Sequence, residues 1–412
     1  MRPHTSAARV PRACTLLFSA MLAALGAGLG AQSPTPTWSA RLEWRLRDDP
    51  SGAWRTDVIP AAVATRGDSL VAALPLDRTL LLIDRDGRIV RTFGRAGAGP
   101  GEIERPSAVG LLGDTVWVAD AALQRFTRYA PGSRPAVTRS FRDITDAVAP
   151  RTGSAAGRLW PHSLLANGRI LVLSPLPPDP RSAAGSGRSV ALLADTSARR
   201  VDTLGVLDER NAWFLVGRGG ADAPSTMRFR NPFAHKDLLA LDPYGRRTVL
   251  VQLQDAASPR APSYTVSAWG ADGRRIFSRR IPFTPRAVTG TDVAEAANGF
   301  REIRPPARSG GAGALDVGPA LSSAVGKGSV HPPVTRLLVG ADQSIWLRRS
   351  TGRADRDTWL VLSAAGDPLA EVHLPRIASR VVVAADLEHI WAVEDDERAA
   401  TERTLVRYRV SP

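Results

Sequence analysis

The chain has 412 residues, of which 43% are hydrophobic and 23% charged, and its formal net charge is +14. This balance is typical of a folded, soluble protein and excludes an intrinsically disordered chain. Its only cysteine is Cys14, so the sequence beyond it offers no disulfide, no thiolate nucleophile and no cysteine-ligated zinc.

The N-terminal segment, residues 1–31, predicts a secretory signal peptide. Arg2, Arg9 and Arg12 form a positive region without acids, and an apolar run of small residues follows as far as Ala31. We therefore expect export by the general secretion route, to the periplasm or the extracellular space. Leu29 stands where a cleavage site prefers a small residue, so an uncleaved membrane anchor is the alternative.

Beyond the signal segment the chain predicts β-strands. Residues 32–37 form a Pro-rich spacer, and Trp38–Arg47 alternates apolar and polar residues as a half-buried strand does. Six copies of one pattern follow, each an apolar run, a Gly- or Asp-containing turn and a strand centred on an apolar pair. The pairs are Leu70-Val71, Val116-Trp117, Ile170-Leu171, Val249-Leu250, Ile345-Trp346 and Ile390-Trp391.

Most of these units continue into third and fourth strands, but the last ends after its third, Thr404–Val410. Four-stranded antiparallel units repeating at about 40 residues are typical of a β-propeller. The sequence thus predicts an all-β fold, a six-bladed β-propeller over residues 38–412, with Trp38–Arg47 as the missing strand of the last blade. Closing the ring in this way leaves no strand edge exposed.

Two insertions interrupt the repeat, at about 208–237 and 282–333. The first insertion is predicted to form a basic, Gly-rich loop. The second insertion is predicted to begin with one short helix, which has Asp292 as N-cap and Glu295 three residues later and extends to about Ile303. The rest of the second insertion, 308–330, is rich in Gly, Ala and Ser and predicts a mobile segment.

The turn Gly94–Ile103 and the strand Val116–Asp120 resemble the bacterial six-bladed β-propeller family related to NHL-repeat proteins. The segments Pro282–Thr289, Ile345–Arg349 and Thr358–Val361 are also similar to members of that family from GC-rich environmental bacteria. The resemblance covers most of residues 38–412 and is least clear over 150–237. It implies an exported propeller, without an activity that transfers residue by residue.

The Gly-rich turn has two interpretations. Gly97, Gly99, Pro100, Gly101 and Glu102 lack the lysine and hydroxyl of a phosphate-binding loop, and Glu102 replaces the third glycine of a dinucleotide fingerprint. We therefore interpret the turn as a structural link between blades.

Other candidate sites are weaker. Residues 84–87 share the start of a calcium loop but lack the later ligands. His162, His235 and His331 are the histidines to examine, although none has the short spacing of a metal site. Asp120, Asp242 and Asp386 could line one face of the ring, and each also fits a turn-forming role. The tryptophans at matched strand centres indicate packing between blades.

Two functions remain open. In the first, the ring is a binding or scaffold module for an extracytoplasmic protein, peptide or glycan, without a cofactor. In the second, it is a metal-dependent hydrolase, lactonase or lyase with calcium or another divalent ion in the central channel. The absence of a recognisable catalytic motif favours the first. Nucleic acid ranks last among partners because arginine is scattered rather than clustered with aromatics, and contact with a membrane is expected only if the signal segment is uncleaved.

Overall fold

β-Strands, nearly all paired antiparallel, make up most of the residues that the structure describes. A computed structural model describes residues 35–46, 60–131, 138–152, 159–177, 187–197, 200–209, 212–218, 225–253, 262–301, 317–326, 328–351, 355–377, 379–396 and 399–412. The predicted signal segment lies outside these ranges. None of the helices within them is long and apolar enough to cross a membrane.

The described residues form 26 strands and three short helices. The first strands are β1 (Thr37–Arg45), β2 (Ala62–Arg66), β3 (Ser69–Leu74), β4 (Thr79–Ile83), β5 (Ile89–Phe93), β6 (Pro106–Leu112), β7 (Thr115–Asp120), β8 (Arg125–Tyr129), β9 (Thr138–Ser140), β10 (Trp160–Leu164), β11 (Ile170–Pro175), β12 (Arg188–Asp195) and β13 (Arg200–Asp208). The others are β14 (Trp213–Arg218), β15 (Ser225–Arg230), β16 (Leu238–Leu241), β17 (Arg247–Gln252), β18 (Ser263–Gly270), β19 (Arg275–Pro282), β20 (Val334–Val339), β21 (Ile345–Arg349), β22 (Arg356–Leu362), β23 (Pro368–Pro375), β24 (Val381–Ala385), β25 (His389–Asp396) and β26 (Ala399–Ser411). The helices are α1 (Phe141–Thr152), α2 (Gly290–Arg301) and α3 (Val317–Val325).

The sheets form a propeller-like ring. Four separate sheets contain four antiparallel strands each, in the orders β2–β5, β6–β9, β10–β13 and β16–β19. The first strand of each lies innermost, and tight turns connect consecutive strands. At the β6–β7 turn, for example, Gly113 has a φ of 57°, a conformation that glycine adopts without strain.

The remaining propeller strands form one eight-stranded sheet, in the order β20-β21-β22-β23-β1-β26-β25-β24. The N-terminal strand β1 pairs antiparallel with β26, from Ser39 opposite Ser411 to Arg45 opposite Val406. It also pairs parallel with β23 through Thr37, Trp38 and Ser39. The first and last parts of the chain are therefore hydrogen-bonded together.

This sheet corrects the prediction of six separate blades. Only four sheets stand alone with four strands, because the short parallel pairing of β1 with β23 joins the last eight strands into one sheet. Sequence periodicity identifies each strand but carries no information about a parallel contact between residues more than 300 positions apart.

The hydrophobic core lies between neighbouring sheets. Trp117 packs between the β6–β9 and β10–β13 sheets, Trp346 between the two halves of the eight-stranded sheet, and Trp391 between that sheet and β2–β5. Each of the three is at most 3% exposed. Full burial of large apolar side chains contributes roughly 1.5–3 kcal/mol each, so these contacts hold the ring together.

The two insertions are more ordered than the sequence predicts. Between β13 and β16 the predicted loop contains the hairpin β14–β15, in register from Trp213–Arg230 to Arg218–Ser225. Between β19 and β20 lie two helices rather than one, α2 and α3. The helix α3 occupies part of the segment predicted to be mobile, and residues 302–316 lie outside the described ranges.

The N-terminus of α2 also differs from the prediction. Thr289, not Asp292, is the N-cap: its hydroxyl accepts the backbone N–H of Asp292, and the Asp292 carboxylate accepts the Thr289 N–H at 2.8 Å. This reciprocal pair is a capping box with aspartate in place of glutamate. The turn residues Pro131-Gly132 also predict a fourth strand over 136–141. The structure instead has β9 at Thr138–Ser140, and a third helix, α1, begins at Phe141.

Candidate functional site

A cavity of about 230 Å³ lies at the ring axis. Residues of the six innermost strands β2, β6, β10, β16, β20 and β24 line it, and most are Ala, Val or Leu. We call the end of the ring where each outermost strand passes to the next innermost strand the connection end. The opposite end, where each innermost strand turns back, is the turn end.

His162 and Ser163 of β10 supply a polar pair to this cavity. His162 Nδ1 lies 2.7 Å from Ser163 Oγ. Both side chains reach the axis because a register shift interrupts the alternation of β10 between Pro161 and Ser163. Burial lowers the pKa of His162, so the imidazole is neutral at pH 7 and can donate or accept a hydrogen bond.

Asp242 lines the cavity at the turn end and is held in place by its neighbours. Its carboxylate accepts the Arg247 N–H at 2.7 Å and the Arg246 Nε–H at 3.0 Å. Burial raises the pKa of Asp242, and these hydrogen bonds oppose that rise. The Asp242 carboxylate therefore stabilises its own turn.

That turn covers one end of the cavity. The carbonyl of Pro243 accepts the Leu111 N–H at 2.8 Å, and the carbonyl of Gly245 accepts the Ala166 N–H at 3.0 Å. Leu111 belongs to a sheet that is not adjacent to β16, so the turn reaches across the axis. A ligand would enter from the connection end.

The other two predicted aspartates do not line the cavity. Asp120 lies at the connection end, where its carboxylate accepts the N–H groups of Glu104 and Ala122 at 2.7 and 2.9 Å. Asp386 lies at the turn end and accepts the N–H groups of Glu388 and His389. Burial raises the pKa of Asp386 to about 6. The three aspartates therefore do not share one face.

His235 and His331 lie together in the insertions, away from the axial cavity. His235 Nε2 is 2.9 Å from the Val330 carbonyl, and His331 Nε2 is 3.3 Å from Asp292 Oδ2. Hydrogen bonds from Thr289, His331 and Arg286 hold the pKa of Asp292 well below its usual range, despite its partial burial. The His235–Val330 contact attaches one insertion to the other, whereas the Asp292 contacts lie within the second.

The insertions pack into a small subdomain at the connection end, formed by β14, β15, α2 and α3. Its core contains Phe214, Val216, Ala297, Val317 and Leu321. Both insertions connect an outermost strand to the next innermost one, which places them at the same end of the ring. Two segments about 50 residues apart in sequence thereby form one structure.

The outer face of the β14–β15 hairpin carries a basic and aromatic patch, defined by Trp213, Leu215, Arg228 and Arg230. The Arg228 and Arg230 guanidinium carbons lie 4.4 and 5.2 Å from the centroid of the Trp213 ring. Leu215 is 61% exposed. Nearby, burial lowers the pKa of Lys236, and the charge of Arg230 lowers it further. The sequence contained the signal for this patch, because apolar and basic residues alternate along residues 227–230.

The Gly-rich turn lies between β5 and β6, which belong to different sheets. Glu102 Oε2 accepts the Gly99 N–H at 2.6 Å, and this bond together with Arg95 lowers the pKa of Glu102. Gly97 has a φ of 146°, and a Cβ there would lie 2.1 Å from Glu102 Oε2. The Tyr129 hydroxyl donates to the carbonyl of Gly101, which follows Pro100. These contacts fill the turn, leaving no cradle for a phosphate among them.

No protein-family model matches the chain, and no curated protein matches it. Among solved structures, it is similar to a provisionally assigned exported protein from Bacteroides fragilis NCTC 9343. The two share 10% identity over 91% of this chain and 98% of that one, with a TM-score of 0.44. A DUF4221 family member from Bacteroides vulgatus has 9% identity over 90% and 98% of the chains and a TM-score of 0.43. Streptogramin B lyase has 10% identity over 89% and 97%, with a TM-score of 0.36.

Proposed function

We propose that this protein is an exported β-propeller that binds a protein, peptide or glycan outside the cytoplasm. The ring supplies a rigid support, and the subdomain at the connection end supplies the recognition surface. The predicted signal segment 1–31 and the spacer 32–37 support the exported location. Binding sites commonly lie on loops that a rigid scaffold positions.

The basic and aromatic patch is the observation that carries this proposal. Its inner neighbours Phe214 and Phe229 pack into the subdomain, whereas Trp213, Arg228 and Arg230 face outwards. Among the described residues, neither arginine has an acidic partner within salt-bridge distance. Aromatic and arginine side chains dominate the energy of binding surfaces, and these arginines favour a ligand that carries acidic groups.

We further infer that the ring acts as six blade-like units, the four separate sheets and the two halves of the eight-stranded sheet, which gives the support its rigidity. The two halves of the eight-stranded sheet each have the strand order of a four-stranded blade, with β1 completing the last. A hydrophobic cluster separates these halves, as it does the other neighbouring sheets. In this arrangement the turn Gly97–Glu102 is a structural link between the first two blades.

Binding to peptide and glycan arrays tests the proposal. We expect the protein to retain acidic members of an array, and a Trp213→Ala, Arg230→Ala variant to bind them at least about tenfold more weakly. Val90→Ser is the matched control, since Val90 is 55% exposed on a strand remote from the subdomain. Equal binding by the double variant would contradict the proposed surface.

The alternative function is a metal-dependent hydrolase, lactonase or lyase acting in the axial cavity. The His162–Ser163 pair and Asp242 favour it, because they bring an imidazole, a hydroxyl and a carboxylate to one cavity. We expect turnover of a lactone or ester panel in this case, with loss of activity in His162→Gln. If His162→Gln still binds the array ligands as the wild type does, catalysis in the axial cavity is distinct from binding at the subdomain.

A further inference from the structure

The ring closes at a seam between the first sheet, β2–β5, and the last strands β24–β26 and β1. The apolar part of the seam contains Leu70, Leu81, Val383, Trp391 and Leu405. At the turn end of the same seam lies a polar group, Asp68, Glu388 and His389, which we call the seam cluster. One ligand atom from each lies within 4.8 Å of the others.

His389 is the buried member of the seam cluster, with a side chain only 3% exposed. Its Nε2 lies 3.3 Å from Arg409 Nη1 and 3.7 Å from Glu43 Oε2. Its Nδ1 faces Asp68 Oδ1 at 3.9 Å and Asp386 Oδ1 at 3.8 Å, beyond hydrogen-bond length. Among the described residues, Nδ1 therefore has no hydrogen-bond partner, although the side chain as a whole is buried.

The two carboxylates of the seam cluster can move. The side chains of Asp68 and Glu388 are 53% and 67% exposed. Zinc with ligands at about 2.0–2.1 Å places donor atoms roughly 3.4 Å apart, so rotation of these two exposed side chains would complete the site. Asp386, already bonded to the turn backbone, stays where it is.

The donor set selects the ion. One imidazole nitrogen with carboxylate oxygens suits zinc and other first-row divalent cations, whereas calcium and magnesium prefer oxygen ligands throughout. In the structure Arg409 Nη1 donates to Nε2, which leaves the ring proton on Nδ1. An ion on Nδ1 would displace that proton to Nε2, where it would replace the Arg409 hydrogen bond and face Glu43 Oε2 at 3.7 Å. Arg407 fixes Glu43 through a 2.8 Å contact, as in the carboxylate–histidine–metal arrangement.

We propose that the seam cluster binds a first-row divalent cation, with zinc preferred over calcium and magnesium, and that this ion fastens the ring closed. Asp68 belongs to the first sheet, whereas Glu388 and His389 belong to the last. The ion would thus bond directly across the seam. This site is separate from the recognition surface and does not depend on it.

Zinc titration of the chelator-treated full chain by calorimetry tests the site. We expect one ion per chain and a melting temperature about 3 °C higher at a free zinc concentration one hundred times Kd. Asp68→Asn and His389→Ala should each weaken binding at least about tenfold. His373→Ala is the matched control. Among the described residues, His373 has Glu371 at 4.0 Å as its one acidic neighbour and Thr358 Oγ1 at 3.3 Å from Nδ1, so this variant should bind zinc as the wild type does.

Arg409 provides an independent test of the same site. Its guanidinium lies 3.3 Å from His389 Nε2 and 3.8 Å from Glu388 Oε2, where its charge opposes a bound cation. Arg409→Gln should tighten zinc binding several-fold. Unaltered zinc affinity in Asp68→Asn or in Arg409→Gln, or calcium binding as tight as zinc, would indicate an adventitious ion only and overturn the proposal. If His389→Ala does not fold, Asp68→Asn still tests the proposal, because the Asp68 side chain is exposed.

Discussion

The buried ion pair Arg380–Glu394 gives the sharpest test of how the last sheet is stabilised. Both side chains are only 1% exposed, and Arg380 Nε lies 2.5 Å from Glu394 Oε1. The Tyr408 hydroxyl donates to the same oxygen at 2.5 Å and accepts from Arg380 Nη2 at 2.8 Å. Burial, together with Glu394, raises the pKa of Tyr408 to about 12, so the phenol keeps its proton at neutral pH.

Removing either partner leaves a charge buried in this network. Arg380→Met leaves Glu394 with Tyr408 and with Arg45 at 3.4 Å, and Glu394→Leu leaves the guanidinium without its carboxylate. Each single change should cost about 3–5 kcal/mol of unfolding free energy. For a chain of this length, that cost corresponds to a fall of about 4–6 °C in melting temperature.

The double variant Arg380→Met, Glu394→Leu separates the cost of an unpaired buried charge from the cost of lost side-chain packing. Because it leaves no buried charge, it should lie within about 1 kcal/mol of the wild type. Guanidinium chloride unfolding of the four proteins measures the coupling energy. A single variant that loses less than about 1 kcal/mol, or a double variant as unstable as the sum of the singles, would refute this reasoning.

Three further outcomes are expected. Deleting residues 32–50 removes β1 and exposes the edges of β23 and β26, so the melting temperature should fall by more than about 6 °C; an unchanged value would contradict closure by this strand. Burial lowers the pKa of His162 below its unfolded value of about 6.5, so the folded state loses stability as pH falls below that value, by up to about 1.4 kcal/mol at pH 5.5. His162→Gln should lose this acid sensitivity, seen by comparing melting at pH 7.5 and 5.5, and an undiminished sensitivity would show that another group is responsible. Gly97→Ala places a Cβ against Glu102 and should lower the melting temperature, whereas Gly290→Ala, whose Cβ meets nothing within 4 Å, should not.

Local pattern predicted most strands well. The alternation of Trp38–Arg47 identified β1, and the missing fourth strand after Thr404–Val410 indicated where β1 pairs. The Asp292 region was identified as a helix start, but the cap was assigned to the wrong residue. A Thr-x-x-Asp spacing was present in the sequence and would have identified Thr289.

The candidate sites were harder to predict because they depend on distant segments. His235 and His331 gave no spacing signal, yet the packing of the insertions brings them into one subdomain. Asp120 and Asp242 both follow strands, but they lie at opposite ends of the ring because β7 and β16 run in opposite directions relative to the axis. The strand direction follows from the position of each strand within its sheet.

The sequence by itself determined an all-β chain of repeated antiparallel units, since turn residues and apolar periodicity act over a few residues. Only the tertiary structure decided that Asp68 meets His389, that two insertions form one surface and that β1 joins two groups of strands into one sheet. Each of these contacts joins residues far apart in the chain. Ring closure brings Asp68 to His389 and β1 to the last strands, and the packing of neighbouring sheets brings the two insertions together.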